Sequence, residues 1–223
     1  DCVIESRHLG LVMPNEIQDF KEKLGKLAKR MEETIDFHGL IELGKSAPAI
    51  SVEKETKEYF QSLKNQGEKI KIGLGKDEAF CFFYEDNLKL LEEMGAELIP
   101  FSPIHDKELP PDIQGLLLYG GYPELYGKAL EENLSMREQI KEALSKGMPV
   151  LSECGGFIYL HDIFEDEKGV FRQGVGQIKG KVFNTGKLSR FGYIEASCKK
   201  PVFGRQLGMC PAHEFHYFDS TSC

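Results

Sequence analysis

The sequence predicts an α/β protein with a doubly wound, mainly parallel sheet flanked by helices, a late antiparallel β-ribbon and a separate amino-terminal helix. Strand-like apolar runs alternate with helix-like runs from residue 69 to about residue 154. After about residue 174 the apolar segments become short and are separated by Gly and Thr, which is typical of antiparallel structure. Because strand-helix-strand crossovers are right-handed, the alternating region predicts parallel strands.

The first 67 residues predict one helix followed by a linker. From residue 15 to 37 charged residues separate apolar residues at helical spacing, namely Ile17, Phe20, Leu24, Leu27 and Met31. About residues 44 to 67 mix Gly, Pro, Ser and Lys with few periodic apolar positions, and we interpret them as a linker.

The second region predicts a regular series of elements. Its glycines fall where helices and strands should end, as in "EEMG" and "LYGG". The predicted strands are 69–75, 96–104, 113–121 and 148–154, and the predicted helices are 85–95, 135–147 and one that begins with "GGFIYLHDIF". The late ribbon is predicted over 175–198.

Composition excludes several classes of protein. The 223 residues carry a net charge of -8, which argues against broad nucleic-acid binding. No run of 18 apolar residues predicts a membrane segment, and no signal peptide is recognisable. Reduced thiols in a cytoplasm are therefore expected for the six cysteines, which form no CxxC pair: Cys2, Cys81, Cys154, Cys198, Cys210 and Cys223.

Cys154 is the candidate nucleophile. It follows the strand "PVLSE" at the carboxyl end of a parallel sheet, where ligands collect, and precedes a helix. A sharp strand-to-helix turn needs small neighbours, and Ser152 and Gly156 meet that need. We expect the helix amino terminus to lower the pKa of the thiol, and the Gly155 N–H to face a developing oxyanion. The other interpretation is a buried thiol beside a turn.

Gly120 and Gly121 are candidates for a second oxyanion donor. They follow the neighbouring buried strand in "YGGYPEL" and would let backbone amides approach the same point. A single GG pair usually marks only a turn, but here two such pairs follow two successive predicted strands.

A base is expected in "CPAHEFHYFDS", where His213 and His216 compete. Either can instead be a structural histidine. Metal binding by Cys210, His213 and His216 is disfavoured, because these three residues lack a fourth partner and a recognised spacing. We therefore predict no metal site.

Four motifs together carry a resemblance: "SECGG", "LLLYGGYPEL", "NLSMREQI" and "AHEFHY". They resemble the carboxyl-terminal, class I-like glutamine amidotransferase domain of the cobyrinate a,c-diamide synthase family, over about residues 69 to 220. "SRHLGLVMPNE" resembles the end of the ATP-binding domain that precedes it. The resemblance implies a synthetase remnant at 1–43, a linker at 44–67 and the amidotransferase domain at 68–223, so the chain is expected to be truncated at its start.

The resemblance also implies a function. Glutamine is hydrolysed to glutamate and ammonia, and the ammonia amidates the a and c acetate side chains of a corrinoid that ATP has activated. Cys154 would form the glutamyl thioester, and His216 is preferred as its base because "EFHY" matches the "FHPE" of related glutaminases. No cofactor is implied for this segment, while ATP and Mg²⁺ are expected for the intact enzyme. The expected partners are L-glutamine and the corrinoid acceptor, with no nucleic acid or membrane.

This sequence departs from the wider class at Phe218. There the usual triad has a glutamate that orients the histidine, so a Cys–His dyad is implied. Glu214 and Asp219 are candidates to replace it, although we expect strand alternation to turn both away from the His216 face.

Other polar residues have two interpretations each. Tyr122, Glu124 and His213 are candidates for contacting glutamine or a partner domain, and Asn133 and Arg137 are candidates for the same role or for a solvated helix face. Arg7 and His8 are candidates for contact with nucleotide or substrate in the intact enzyme. Two alternative functions stay open: a noncatalytic docking module of the same fold, and a cysteine hydrolase that acts on another amide. The acceptor, whether cobyrinate, hydrogenobyrinate or nickel sirohydrochlorin, and the oligomeric state are left open by the sequence.

Overall fold

The computed structural model describes residues 3–7, 10–51, 58, 61–62 and 69–222. The chain forms two compact units, 1–58 and 59–223. The elements of the first unit are β1 (Ser6–Arg7), β2 (Gly10–Leu11), a 3-10 turn (Pro14–Glu16), α1 (Phe20–Thr34) and α2 (Phe37–Lys45). Strands β1 and β2 pair antiparallel.

The predicted single helix at 15–37 is a 3-10 turn, Pro14–Glu16, followed by the shorter helix α1, Phe20–Thr34. Helix α1 ends at Thr34 because Ile35 is extended, and α2 begins after Asp36, whose carboxylate accepts a hydrogen bond from the Gly39 N–H at 2.9 Å. The sequence analysis missed α2, which reaches Lys45 inside the predicted linker. Much of the rest of that linker lies outside the described residues, and the domain boundaries stay a prediction.

A four-stranded parallel sheet forms the centre of the second unit, as predicted. Its order is β5-β3-β6-β8. The bounds are β3 (Ile70–Gly75), β5 (Ala96–Phe101), β6 (Gly115–Leu118) and β8 (Val150–Ser152). Every residue of β6 is buried, which explains its continuous apolar sequence. A short antiparallel pair, β4 (Phe80–Phe82) and β7 (Gly120–Gly121), lies beyond the ends of β3 and β6 in the chain.

Apolar residues are buried on both faces of the sheet. Successive residues of β6 alternate between two clusters: Leu116 and Leu118 belong to one, and Leu117 to the other. Between residues 69 and 222 the helices are α3 (Glu85–Glu93), α4 (Gly127–Glu132), α5 (Leu134–Ser145) and α6 (Gly155–Tyr159). No helix in the described part of the chain is long and apolar enough to cross a membrane.

Helix α5 shows why the amphipathic segments form where they do. Met136, Ile140 and Leu144 are spaced four residues apart and are all buried in the larger cluster. Burying each such side chain contributes about 1.5–3 kcal/mol relative to leaving it exposed. Helix α3 contributes Leu88 to the smaller cluster in the same way.

The late region contains a separate antiparallel ribbon, but its strands pair differently from the prediction. The bounds are β9 (His161–Glu165), β10 (Phe171–Gln173), β11 (Ile178–Asn184), β12 (Arg190–Ala196), β13 (Cys210–His216) and β14 (Phe218–Ser220). Strand β12 pairs with β13, whereas β11 belongs to a second sheet of order β10-β9-β11-β14. Within that sheet β11 is antiparallel to β14 and parallel to β9.

His161 marks where the predicted helix after Gly155 ends early. Its Nδ1–H donates to the Phe157 carbonyl at 2.8 Å, and its Nε2 accepts from the Ser220 hydroxyl at 2.8 Å. The side chain is fully buried, and burial lowers the pKa of the imidazole. This neutral histidine lies just past the end of α6 and links α6 to β14 through these two hydrogen bonds.

Candidate active site

Cys154 lies at a strained turn, as the sequence predicts. It is two residues past the end of β8 and directly precedes α6, with φ 49° and ψ -109°. A non-glycine residue in a sparsely populated backbone region costs on the order of 1–3 kcal/mol, so its surroundings must hold it there. This strand-turn-helix geometry is that of a nucleophile elbow.

Backbone contacts with the end of β6 hold the elbow. The Glu153 N–H donates to the Leu118 carbonyl at 3.0 Å, and the Gly156 N–H donates to the Tyr119 carbonyl at 2.9 Å. A Cβ built on Gly156 would overlap the Leu118 carbonyl oxygen and its carbon. Gly156 is therefore required so that the elbow can lie against β6.

Three predicted glycines surround Cys154. The amides of Gly155 and Gly121 act as hydrogen-bond donors to the thiol and lower its pKa. Gly121 is paired with Phe80 between β7 and β4. Gly120 lies close by, since a Cβ built on it would be 3.4 Å from the Cys154 Cβ. Two amide donors that face one sulfur form a candidate oxyanion hole.

The pKa of Cys154 differs from the expectation. Cys154 is solvent-accessible as a residue. Even so, burial is the largest influence on the pKa of its thiol, and it raises that pKa. The carboxylates of Glu124 and Glu153 raise it further. The expected lowering by the helix amino terminus is outweighed, because burial and two negative charges favour the neutral thiol.

The backbone of Phe218 orients His216. Its carbonyl oxygen lies 2.6 Å from His216 Nδ1, and a carbonyl can only accept, so Nδ1 carries the proton. In the neutral imidazole Nε2 then has the free lone pair that a base needs. The hydrogen-bond partner of His216 Nδ1 is thus a main-chain carbonyl and not a glutamate side chain.

Glu214 lies on the same face of β13 as His216, and the expectation that alternation turns it away is wrong. Residues two apart on a strand share a face, and Glu214 Oε1 lies 4.0 Å from His216 Nε2. Arg190 lies 3.9 Å from the Glu214 carboxylate and 3.6 Å from that of Asp219.

The structure does not join Cys154 to His216. Within the described residues, no hydrogen bond or ion pair connects them, and the ribbon of β12 and β13 pairs with no other described strand.

His213 lies on the opposite face of β13, where its ring contacts Phe191 and Tyr193. Cys210, His213 and His216 therefore do not share a face, which disfavours metal binding by this set.

Two further candidates are structural. The Asn133 amide donates to the carbonyls of Pro103 at 2.9 Å and Asp106 at 2.7 Å. The Arg137 guanidinium donates to the carbonyls of Gly174 at 3.0 Å and Glu131 at 2.8 Å. Both side chains donate to backbone carbonyls at buried or partly buried positions, and the solvated-face interpretation is wrong for them.

The "GGYPE" turn covers the amino terminus of α6. Tyr122 is 1% exposed and packs edge-on against Phe82 with ring centroids 5.1 Å apart, and Glu124 is 4% exposed. Pro123, which the sequence analysis did not single out, would contact a Cβ on Gly155 at 2.9 Å. The side chain of Arg7 and the whole of His8 lie outside the described residues.

Sequence reasoning assigned no role in the site to the loop from Asp77 to Phe80. This loop follows β3 and supports Gly121: the Ala79 carbonyl accepts a hydrogen bond from the Tyr122 N–H at 2.9 Å. The sequence did carry a signal for this loop: Asp77 comes two residues after Gly75, the last residue of β3. The carboxyl ends of strands in parallel sheets commonly form ligand-binding sites.

Comparison with known proteins shows the family of the chain. Residues 71–222 match the model of the CobB/CobQ-like glutamine amidotransferase domain. The chain is 43% identical over 215 residues to a cobyrinate a,c-diamide synthase of Caldanaerobacter subterraneus subsp. tengcongensis, and 39% identical over 217 residues to that of Clostridium tetani. Each alignment covers 96% of this chain but 46% of the relative, so the chain spans about half the length of these relatives.

A solved structure, a crystal structure of a glutamine amidotransferase, aligns with a TM-score of 0.46 at 16% identity, over 65% of this chain and 70% of that one. The family model covers more than half of the chain and includes the elbow and all three candidate oxyanion glycines. The chain belongs to the CobB/CobQ-like glutamine amidotransferase domain family.

Proposed function

We propose that this chain hydrolyses L-glutamine to L-glutamate and ammonia, with Cys154 as the nucleophile. The observation that carries the proposal is the strained elbow at the end of β8, where two backbone amides face one thiol. A buried structural thiol would need neither the unfavourable backbone conformation nor the amide donors.

In the proposed reaction the Cys154 sulfur attacks the side-chain amide carbon of glutamine. The carbonyl π electrons move to oxygen, and the amides of Gly121 and Gly155 stabilise the oxyanion. Collapse of the tetrahedral intermediate breaks the C–N bond, and the departing nitrogen takes a proton to leave as ammonia. Water then adds to the thioester, which releases glutamate and restores the thiol.

The raised pKa of the thiol means that a base must act when substrate is bound. We assign this role to His216, whose tautomer leaves Nε2 able to accept the thiol proton. Because no hydrogen bond joins the two side chains among the described residues, the assignment requires His216 Nε2 to come within hydrogen-bond reach of the sulfur when substrate is bound. Glu214, beside Nε2, would stabilise the imidazolium that forms.

Glu124 is the proposed partner of the substrate ammonium. Its buried carboxylate follows the oxyanion glycines and acts electrostatically on Cys154. A negative charge at that point disfavours the thiolate but favours the positively charged α-ammonium of glutamine. We assign Tyr122, which is buried in the same turn, to shaping this binding site rather than to chemistry.

The names of the relatives support a proposal for the wider reaction. We propose that the ammonia amidates the a and c acetate side chains of cobyrinate in an ATP- and Mg²⁺-dependent ligase reaction of cobalamin biosynthesis in the cytoplasm. No group of three or more His, Cys, Asp or Glu side chains that could hold a metal ion is found among the described residues. No step of that amidation is therefore assigned to them.

Mass spectrometry after reaction with a glutamine-like electrophile tests the proposal. A diazoketone analogue of glutamine should label Cys154 and leave Cys81, Cys198 and Cys210 unmodified, and excess glutamine should protect Cys154. Iodoacetamide, which reacts with thiolate but needs no glutamine site, should label Cys154 faster as the pH rises past the range in which an ordinary thiol ionises, because the pKa is raised.

Two results would contradict the proposal. Labelling of several cysteines without protection by glutamine would support the docking-module interpretation. Protection of Cys154 by other amides but not by glutamine would support a hydrolase with another substrate.

Replacing His216 tests the base. We expect His216→Gln to lower kcat for glutamine hydrolysis by about 10²–10⁴-fold. His213→Gln is the matched control, because His213 lies on the other face of β13 and should leave kcat unchanged. Equal activity of the His216 variant and the unmodified chain would assign the proton transfer to another group.

A further inference from the structure

The carboxylate of Asp77 is the centre of a hydrogen-bond cluster beyond the end of β3. Its Oδ1 accepts from the N–H groups of Ala79 at 2.9 Å and Phe80 at 3.1 Å. Its Oδ2 accepts from the Ser102 hydroxyl at 2.8 Å and the Ile104 N–H at 2.9 Å. One half-buried side chain thus ties the loop that begins β4 to the segment after β5.

That loop is in direct backbone contact with Gly121. The hydrogen bond from the Tyr122 N–H to the Ala79 carbonyl, at 2.9 Å, flanks the pairing of Gly121 with Phe80. In this register the pair is of the non-hydrogen-bonded kind, so the N–H of Gly121 points away from β4. A Cβ on Gly121 would overlap the Ala79 carbonyl, which shows how closely the two backbones approach.

The Asp77 cluster therefore determines where one oxyanion donor points. Asp77 fixes Ala79 and Phe80, these two residues fix the strand that carries Gly121, and the Gly121 amide faces Cys154. Burial raises the pKa of Asp77, while the four hydrogen bonds oppose that rise by favouring the carboxylate. Only an ionised carboxylate accepts from all four donors at once, because an amide has one acceptor oxygen and a protonated acid loses one acceptor position.

We propose that Asp77 is a positioning residue for the oxyanion hole: its carboxylate holds the 77–80 loop so that the Gly121 N–H is aimed at the oxygen of the tetrahedral intermediate. This inference rests on the proposed glutaminase function and deepens it. Asp77 itself touches neither substrate nor sulfur in this role. An error of about 1 Å in such a donor is enough to cost a large part of its effect.

The test compares two reactions of Cys154 in the Asp77→Asn variant. Glutamine hydrolysis develops an oxyanion, whereas alkylation by iodoacetamide displaces iodide from carbon and develops none. We expect kcat for hydrolysis to fall by about 10²–10³-fold, the loss seen when one oxyanion donor is removed. KM should stay close to that of the unmodified chain. The rate constant for alkylation should fall by a much smaller factor than kcat, because alkylation loses only the stabilisation of the thiolate by the Gly121 amide.

The matched control is Glu78→Gln. Glu78 is the next residue in the loop, but its carboxylate pairs with His105 at 3.0 Å and takes no part in the cluster. Both reactions of this variant should keep their rates. If Asp77→Asn yields no folded protein, Ser102→Ala removes one of the four donors and should lower kcat by a smaller factor, again by more than it slows alkylation.

The outcomes separate the two proposals. If the unmodified chain releases no glutamate at all, the proposed function fails. If it releases glutamate and Asp77→Asn keeps the same kcat, or slows hydrolysis and alkylation equally, Asp77 has only a structural role and the inference is overturned.

Discussion

Replacing Cys154 with alanine should abolish glutamine hydrolysis, with a loss of about 10⁴-fold or more in kcat. The reason is that the remaining amides of Gly121 and Gly155 can stabilise an oxyanion but cannot form the thioester through which the reaction proceeds. Glutamate release, measured with an enzyme-coupled assay in the presence of excess glutamine, checks the prediction.

The variant should remain folded and still bind substrate. The elbow is held by backbone hydrogen bonds from Glu153 and Gly156 to β6, and none of them involves the sulfur. Cys210→Ala is the matched control, because Cys210 is an exposed thiol on the ribbon. It should retain the full rate. Substantial hydrolysis by Cys154→Ala would rule out thioester chemistry at this residue.

The central sheet and the elbow could be predicted because their signals are local. The i, i+4, i+8 spacing of Met136, Ile140 and Leu144 defines α5, and the run that becomes β6 is apolar because both of its faces are buried. Gly156 was recognisable for a similar reason: a nucleophile at a sharp turn needs a small residue at that position.

The late strands were harder to predict because pairing depends on distant partners. Strand β11 has the alternation of a ribbon strand, but its neighbours β9 and β14 come from opposite sides of it in the sequence. The early end of α6 has the same origin. His161 joins the Phe157 carbonyl to Ser220, and that second contact spans 59 residues.

The electrostatics of the site also depended on tertiary contacts. The sequence placed Cys154 at a helix amino terminus, which alone would lower its pKa, but it did not show that the carboxylate of Glu124 acts on the same thiol. The hydrogen-bond partner that orients His216 could not be predicted from the sequence for another reason. It is the main-chain carbonyl of Phe218, and every residue type carries one.

Replacing Gly156 with alanine should destabilise the second unit more than any other single-methyl addition near the elbow. The new Cβ would overlap the carbonyl of Leu118, a residue of the fully buried strand β6 that cannot move without disturbing its neighbours β3 and β8. Overpacking a core costs about 1–3 kcal/mol, and we expect a loss of about 3 kcal/mol or more because the clash is with backbone. Urea unfolding measures it.

Gly208→Ala is the control, since nothing lies within 4 Å of a Cβ built at Gly208. It should leave the unfolding midpoint unchanged or slightly higher, because alanine reduces the freedom of the unfolded chain. Gly156→Ala should instead unfold at much lower urea, and any folded fraction should hydrolyse glutamine slowly, because separating α6 from β6 moves Cys154 and the Gly155 amide together away from Gly121. Equal midpoints for the two variants would mean that the elbow is not held against β6, and the strain at Cys154 would then have no structural support.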